Sequence, residues 1–327
     1  VNILAIRFAR LGDVILLLPA LSSLKRRFPG SRLTLLTGHR CAPIAELCPA
    51  IDQVIAVNRL AMRDGPVWSA LREIGRLVWD LRRKHFDLIV DFHSFRETNL
   101  LALVSGARSR IGMKRYGAPY LGFCFNLPPV LEDKRIHVAD MFERVVAGIP
   151  AATEPHPEPT AKPWLTVERR RSSGPPKIAF FVDAPVPERI WPAKRFAEVA
   201  DFVIEKFGFS VAVISSKERG DLAVAVRDFS RNPDQLSVCI DMNLGMIAQI
   251  IGSAVLFVSN DTGPMHLGPA VGTPTLGLFS VGFPEHFRPM GPNDRFLRSN
   301  PIHLIQVKDV IAVLEEMRAT ADRDLQC

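Results

Sequence analysis

No G-x-G-x-x-G follows any strand-like segment of this 327-residue chain, which speaks against the usual dinucleotide site and hence against a nicotinamide-dependent oxidoreductase. No apolar run approaches the ~20 residues of a membrane-spanning helix. The longest, Val14 to Leu21, is interrupted by Pro19, so any membrane contact is expected to be peripheral. The five cysteines (Cys41, Cys48, Cys124, Cys239 and Cys327) are odd in number and show no short paired spacing. Free thiols are expected, and neither a disulfide frame nor a cysteine zinc site. The eight histidines form no close pair at metal-ligand spacing either, so no bound metal and no cofactor are expected. A charged leader with a cleavage site is also missing, since strand-like Ile3-Leu-Ala-Ile6 comes at once. The expected location is therefore cytoplasmic.

What is present is globular: 47% hydrophobic and 23% charged residues, in a chain long enough for two ordinary domains. The net charge of +7 suits an acidic partner, such as a nucleotide, a phosphorylated glycolipid or an anionic membrane surface. No motif calls for nucleic acid.

Apolar bursts alternate with amphipathic stretches, as strands and crossover helices do in a parallel sheet. Strands are expected at Ile3–Phe8, Arg32–Thr37, Gln53–Val57 and Phe86–Asp91, with helices over Asp13–Phe28 and Val67–Lys84. A proline-rich run from Ala151 to Pro176, carrying Arg169-Arg-Arg171 and Ser172-Ser-Gly174, reads as a linker. Alternation then restarts, with strands at Lys177–Val182, Ser210–Ser215, Val238–Ile240, Ala254–Ser259 and Thr275–Phe279, and a closing helix over Lys308–Ala321. The expected fold class is α/β: two Rossmann-like domains, 1–160 and 161–327, facing each other across a cleft with ligands beyond the carboxyl ends of the strands.

The stretch Val258-Ser-Asn-Asp-Thr-Gly-Pro-Met-His-Leu-Gly-Pro269 is the most informative: a buried strand stops at polar groups and restarts as a helix. Asp261 and Thr262 are N-cap types, Pro264 suits a first helical turn, and Gly263 lets backbone approach a ligand closely. Free N–H groups at such a start favour an anion, a diphosphate for example. His266 reads as a capping or core histidine, or as part of that site.

At the other end, Asp13 follows the first strand through Leu11-Gly12. It reads either as a helix N-cap or as a general base able to deprotonate an attacking hydroxyl. Arg189 and Lys194, in Arg189-Ile-Trp-Pro-Ala-Lys194, read as phosphate partners or as solvated loop charges, and Trp191 as a packing residue. Glu218, after the strand ending Val213-Ile-Ser215, reads as a ribose-binding acid or a surface carboxylate. His93, after Asp91, is a site candidate with capping or packing as its alternative.

Arg7 through Pro19, containing Leu11-Gly12-Asp13-Val14-Ile15, resembles the opening of the ADP-heptose:lipopolysaccharide heptosyltransferases, glycosyltransferase family 9. Asn260-Asp-Thr-Gly-Pro-Met-His266 with Ala270-Val-Gly-Thr-Pro274 is similar to that family's donor signature, and Trp191-Pro192 with Ala193 to Phe196 is a third match. The resemblance runs in order from the first strand to about Gly291. It implies a GT-B fold, an acceptor held mainly by the N-terminal domain, a nucleotide sugar held by the C-terminal one, and metal-independent transfer with inversion. It further implies Asp13 as base, with Asp261, Thr262, Gly263 and His266 on the diphosphate and sugar, Glu218 on the ribose and Met242 near the adenine. The expected partners are ADP-heptose and a lipopolysaccharide core or other glycan acceptor. A different nucleotide sugar or acceptor, as in capsule or protein glycosylation, and a nucleotide-binding relative without turnover are the alternatives.

The family usually has lysine where this chain has Arg189, and small or hydroxyl-bearing residues where it has Val182-Asp-Ala-Pro-Val-Pro187. Arg189 keeps the positive charge but presents a wider planar head.

Overall fold

Segments such as Ile3-Leu-Ala-Ile6, Leu33 to Leu36 and Leu88-Ile-Val90 have no polar face, so they form strands only where both sheet faces are covered. The computed structural model describes residues 1–58, 66–150, 163–168 and 174–324. It divides the chain into two compact units, Val1–Thr160 and Ala161–Cys327. Most of the expected linker, at 151–162 and 169–173, lies outside the described residues.

The first unit contains β1 (Asn2–Arg7), β2 (Arg32–Gly38), β3 (Gln53–Val57), β4 (Leu88–Asp91), β5 (Ser109–Lys114) and β6 (Val130–Leu131). They form one sheet in the order β3-β2-β1-β4-β5-β6, every pair parallel. The second unit contains β7 (Lys177–Phe181), β8 (Ser210–Ser215), β9 (Leu236–Ile240), β10 (Leu256–Asn260), β11 (Thr275–Phe279) and β12 (Arg295–Arg298). Their order is β9-β8-β7-β10-β11-β12, again all parallel. Counted within its own unit, each sheet runs 3-2-1-4-5-6, the doubly wound Rossmann order. Its topological switch point, where ligands bind, lies between the first and fourth strands. Those are β1 and β4 in one unit, and β7 and β10 in the other.

Helix ends follow local chemistry. Helix Ala193–Phe207 begins after Pro192 and stops at Gly208, whose φ of 69° is left-handed. Helix Leu244–Gly252 is capped by Asn243, whose side chain accepts from the Met246 N–H. At Gly268 the segment after β10 lies so close to the sheet that a Cβ would collide with Thr275 Oγ1 and reach 2.9 Å from Phe257. Among the described residues no helix is long and apolar enough to cross a membrane, and Cys41, Cys48, Cys124 and Cys239 are free.

The helix expected over Asp13–Phe28 is two helices, Leu11–Ile15 and Leu18–Arg27. Pro19 has no N–H to give Ile15, and its ring crowds that carbonyl, so the first helix ends and a second starts. Asp13 therefore lies inside a first turn whose N-cap is Arg10, with no side-chain cap, and it is not an N-cap itself. Neither Asp261 nor Thr262 caps through its side chain. Thr262 occupies an N-cap position without a side-chain bond, and a 3-10 turn, Gly263–His266, leads from it into the short helix Leu267–Val271. So brief a segment offers local N–H groups and little macrodipole.

Candidate active site

In the first unit, the carboxyl ends of β1 and β4 gather buried polar side chains. Arg7, the last residue of β1, is 5% exposed, and burial pushes its pKa down against the opposing pull of Asp13. Its Nη1 donates to the Phe92 carbonyl at 2.8 Å and its Nη2 to Asp13 Oδ1 at 3.0 Å, while its guanidinium lies 4.9 Å from the Phe142 ring. Asp13 remains partly exposed at its side chain (28%), so a hydroxyl from solvent or ligand has access to it. Asp91, ending β4, is fully buried and accepts from the His93 and Ser94 N–H groups at 3.0 and 2.8 Å and from Asn99 Nδ2 at 2.9 Å. Burial pushes its pKa up to about 6, the hydrogen bonds opposing. His93 packs between rings, 4.6 Å from Phe95 and edge-on to Phe8 at 5.8 Å, which is its packing alternative.

In the second unit, β10 ends in Asn260, whose side chain fastens the neighbouring loop. Asn260 Nδ2 donates to the Val182 carbonyl at 2.8 Å, and its Oδ1 accepts from the Trp191 N–H at 3.2 Å. Trp191 is wholly buried, donates Nε1 to the Ile305 carbonyl at 3.1 Å and stands edge-on to Phe196, a packing residue as expected. The Ser280 hydroxyl donates to the Glu188 carbonyl, a third fastening of the same loop.

Held this way, Arg189 places Nη1 3.2 Å from Asp261 Oδ2. Asp261 is 6% exposed. Burial raises its pKa, and the Arg189 charge works against that rise. Arg189 Nε is buried with no hydrogen-bond partner, a donor that an oxygen ligand would satisfy. Behind Asp261 the backbone is tight, since a Cβ on Gly282 would collide with Asp261 Oδ2.

The remaining expected residues share the carboxyl edge of this sheet. Lys194 is exposed on the first turn of helix Ala193–Phe207, Glu218 is exposed in the turn after β8, and Met242 is half-buried after β9. His266 is buried beside Gly263 in the turn after β10. Along the edge the order is Met242 (β9), Glu218 (β8), Arg189 (β7), Asp261 (β10). Three strand steps span about 14 Å, so a ligand lying across them would be elongated, with an anionic end at Arg189. The sequence alone assigns no individual role to Arg7, Asp91, Asn99 or Asn260. Asp91 and Asn260 do carry a readable signal, a polar residue closing an apolar strand.

Comparison with known proteins places the chain in a family. Residues 74–311 match the family model described as glycosyltransferase family 9 (heptosyltransferase). The chain is 24% identical to lipooligosaccharide heptosyltransferase 2 of Haemophilus influenzae, over 94% of this chain and 91% of that one. It is 27% identical to lipopolysaccharide heptosyltransferase 1 of Pseudomonas aeruginosa, over 85% and 78%. Among solved structures, an Escherichia coli heptosyltransferase with ADP superposes with a TM-score of 0.82 at 18% identity, covering 97% of this chain and all (100%) of that one. A Veillonella parvula family 9 glycosyl transferase gives 0.79 at 22%, covering 97% and 96%. The shared fold is GT-B, built from two Rossmann-like units.

Proposed function

Because the chain belongs to glycosyltransferase family 9, a family of sugar-transferring enzymes, we propose that it moves heptose from ADP-heptose to a lipopolysaccharide core acceptor, with inversion at the anomeric carbon. The observation that carries this reading is the Arg189–Asp261 pair beside Thr262 and Gly263 at the second unit's switch point. The relatives' activities and the ADP-bound neighbour point the same way.

Residues 161–327 hold the donor in this reading, and residues 1–160 mainly the acceptor. The diphosphate lies against Arg189, whose buried Nε gains a partner, and against the N–H groups at the start of the turn after Thr262. Lys194 adds a second positive charge and His266 a hydrogen-bonding ring, while Glu218 binds ribose hydroxyls and Met242 packs near the adenine. Asp261 orients the Arg189 head and meets the sugar.

Transfer breaks the bond from the anomeric carbon to the diphosphate oxygen and forms one to the acceptor oxygen on the opposite face. Asp13 takes the acceptor proton, and ADP leaves with the bonding pair. The leaving charge is met by Arg189, Lys194 and backbone N–H groups, so the protein supplies this electrostatic stabilisation without a metal ion. Such a step belongs on the cytoplasmic face of a membrane, where a nucleotide sugar and a growing lipid-linked glycan meet.

Incubation with a panel of nucleotide sugars and a heptose-deficient core acceptor, followed by mass spectrometry of glycan and nucleotide, tests the assignment. ADP release with a mass gain of one heptose is the expected result. Consumption of another sugar nucleotide in preference would assign a different donor, which the arginine at position 189 makes the first point to check.

A further inference from the structure

Helix Val67–Arg83 turns far more apolar surface outward than its fold needs. Its inner side supplies Leu81, fully buried, and Leu77 to the first unit's core. Its outer side exposes Trp68 (84%) and Trp79 (57%), with exposed Leu71 on one flank, while Ile74, also exposed, falls nearer the inner side. Trp68 and Trp79 are about three turns apart and so fall on one line, separated by about 16 Å. The adjoining helix Arg96–Val104 adds exposed Leu100 and Val104 on one face, and the two helices are tied where Arg82 Nε donates to the Val104 carbonyl at 2.8 Å.

Charge is sorted around this stripe. At 100° per residue, Arg72, Arg76 and Arg83 lie along the tryptophan edge, whereas Glu73 and Asp80 project further round the helix. All five are exposed. The Arg83 guanidinium lies 4.4 Å from the Trp79 ring, and Arg96 and Arg108 are exposed nearby in sequence on the second helix and just after it. Tryptophan lines edged by arginine match the layered chemistry of a bilayer surface: rings at the headgroup boundary, apolar stems below, cations among phosphates.

We propose that the outer face of helix Val67–Arg83, continued by Leu100 and Val104, is a docking surface for an anionic lipid bilayer. Charge complementarity selects this occupant. A symmetric contact with a second copy would bring Arg72, Arg76 and Arg83 toward their own counterparts with no acid on that edge to offset them. Phosphate headgroups offer the opposite sign, and each arginine near an anionic surface strengthens binding about five-fold. The surface stands independently of which sugar is transferred, because vesicle binding and donor turnover are separate readouts.

The test is flotation of the full chain with vesicles of phosphatidylglycerol and phosphatidylcholine, beside pure phosphatidylcholine. The wild type is expected to float with the anionic vesicles and to stay behind with the neutral ones. Trp68→Ser with Trp79→Ser is expected to weaken partitioning on the order of a hundred-fold, and Arg72→Glu, Arg76→Glu and Arg83→Glu together at least as much, with circular dichroism unchanged. Quenching of wild-type tryptophan emission by brominated lipid provides a readout that needs no variant. No flotation of the wild type, equal binding to neutral vesicles, unquenched emission, or full binding by folded variants would each overturn the proposal. So would a dimer that the tryptophan substitutions dissociate while vesicle binding stays unaltered.

Discussion

Asp13 is held by Arg7, 3.0 Å from Oδ1 to Nη2, and the other nitrogen of the same guanidinium head is anchored 2.8 Å from the Phe92 carbonyl. The carboxylate is thereby aimed from the end of β1 by a side chain that is itself buried and fastened to the end of β4. Asp13→Asn is expected to lower kcat by about 10²–10⁴-fold with donor affinity unchanged. Arg7→Lys, unable to reach both partners at once, is expected to lower kcat on the order of ten-fold. Initial rates with saturating donor check both, and an undiminished rate for Asp13→Asn removes it as the base.

Arg189→Ala leaves Asp261 buried without its cation. The Asp261 pKa then rises further, and donor binding should weaken by about 10²-fold, since charge-assisted hydrogen bonds to a buried site are lost. Arg189→Lys keeps the positive charge and is expected to stay within about ten-fold of wild type. Isothermal titration with ADP decides between these outcomes.

Gly282→Ala tests the same pair from behind. The added methyl group meets Asp261 Oδ2, so the carboxylate must turn away from Arg189. A drop in ADP affinity of about ten-fold with little change in the melting temperature is expected, as only a local rotamer is disturbed. A variant that binds ADP as well as wild type shows that the pair's geometry is not needed for the nucleotide.

Asp91 gives the first unit a pH signature. In the folded state its pKa is about 6, raised by burial, against about 3.9 in an unfolded chain. Between these values the folded state holds the proton more tightly, so this group's contribution to stability is largest below pH 4 and is lost as pH rises through 6, by about 3 kcal/mol in all. Other carboxylates run the opposite way: Asp52 and Asp201 have lowered values and lose their contribution as pH falls. Comparing urea unfolding of wild type and Asp91→Asn from pH 4 to 7 isolates the term, and equal slopes for the two proteins contradict it.

The strands most readable in the sequence are those buried on both faces, such as β1, β2, β4 and β10, whose apolar content has no other explanation. Of the four edge strands, β3 and β9 are legible and β12 and β6 are not: Arg295-Phe-Leu-Arg298 of β12 is largely exposed, and Val130-Leu131 of β6 is too short to show a period. Their strand character comes from pairing with β11 and β5, a tertiary contribution. Asp261 and Arg189 were each legible as candidates beside strand ends. Their contact was not, because it depends on how β7 and β10 become neighbours. The Asp91 network needs Ser94 at a φ of 55°, a backbone turn that an ordinary serine codon does not announce.

The bonds from Asn260 to Val182 and Trp191 set the frame for residues 183–190, a strap buckled at both ends and held once more by the Ser280 bond to the Glu188 carbonyl. Both anchors engage backbone groups and take no account of the side chains in between. Within the strap, particular side chains tie it to its surroundings: Asp183 accepts from the Ser216 N–H at 3.3 Å, and Arg189 pairs with Asp261. If this strap meets the donor as proposed, exchanging it between relatives is expected to change which sugar nucleotide is accepted.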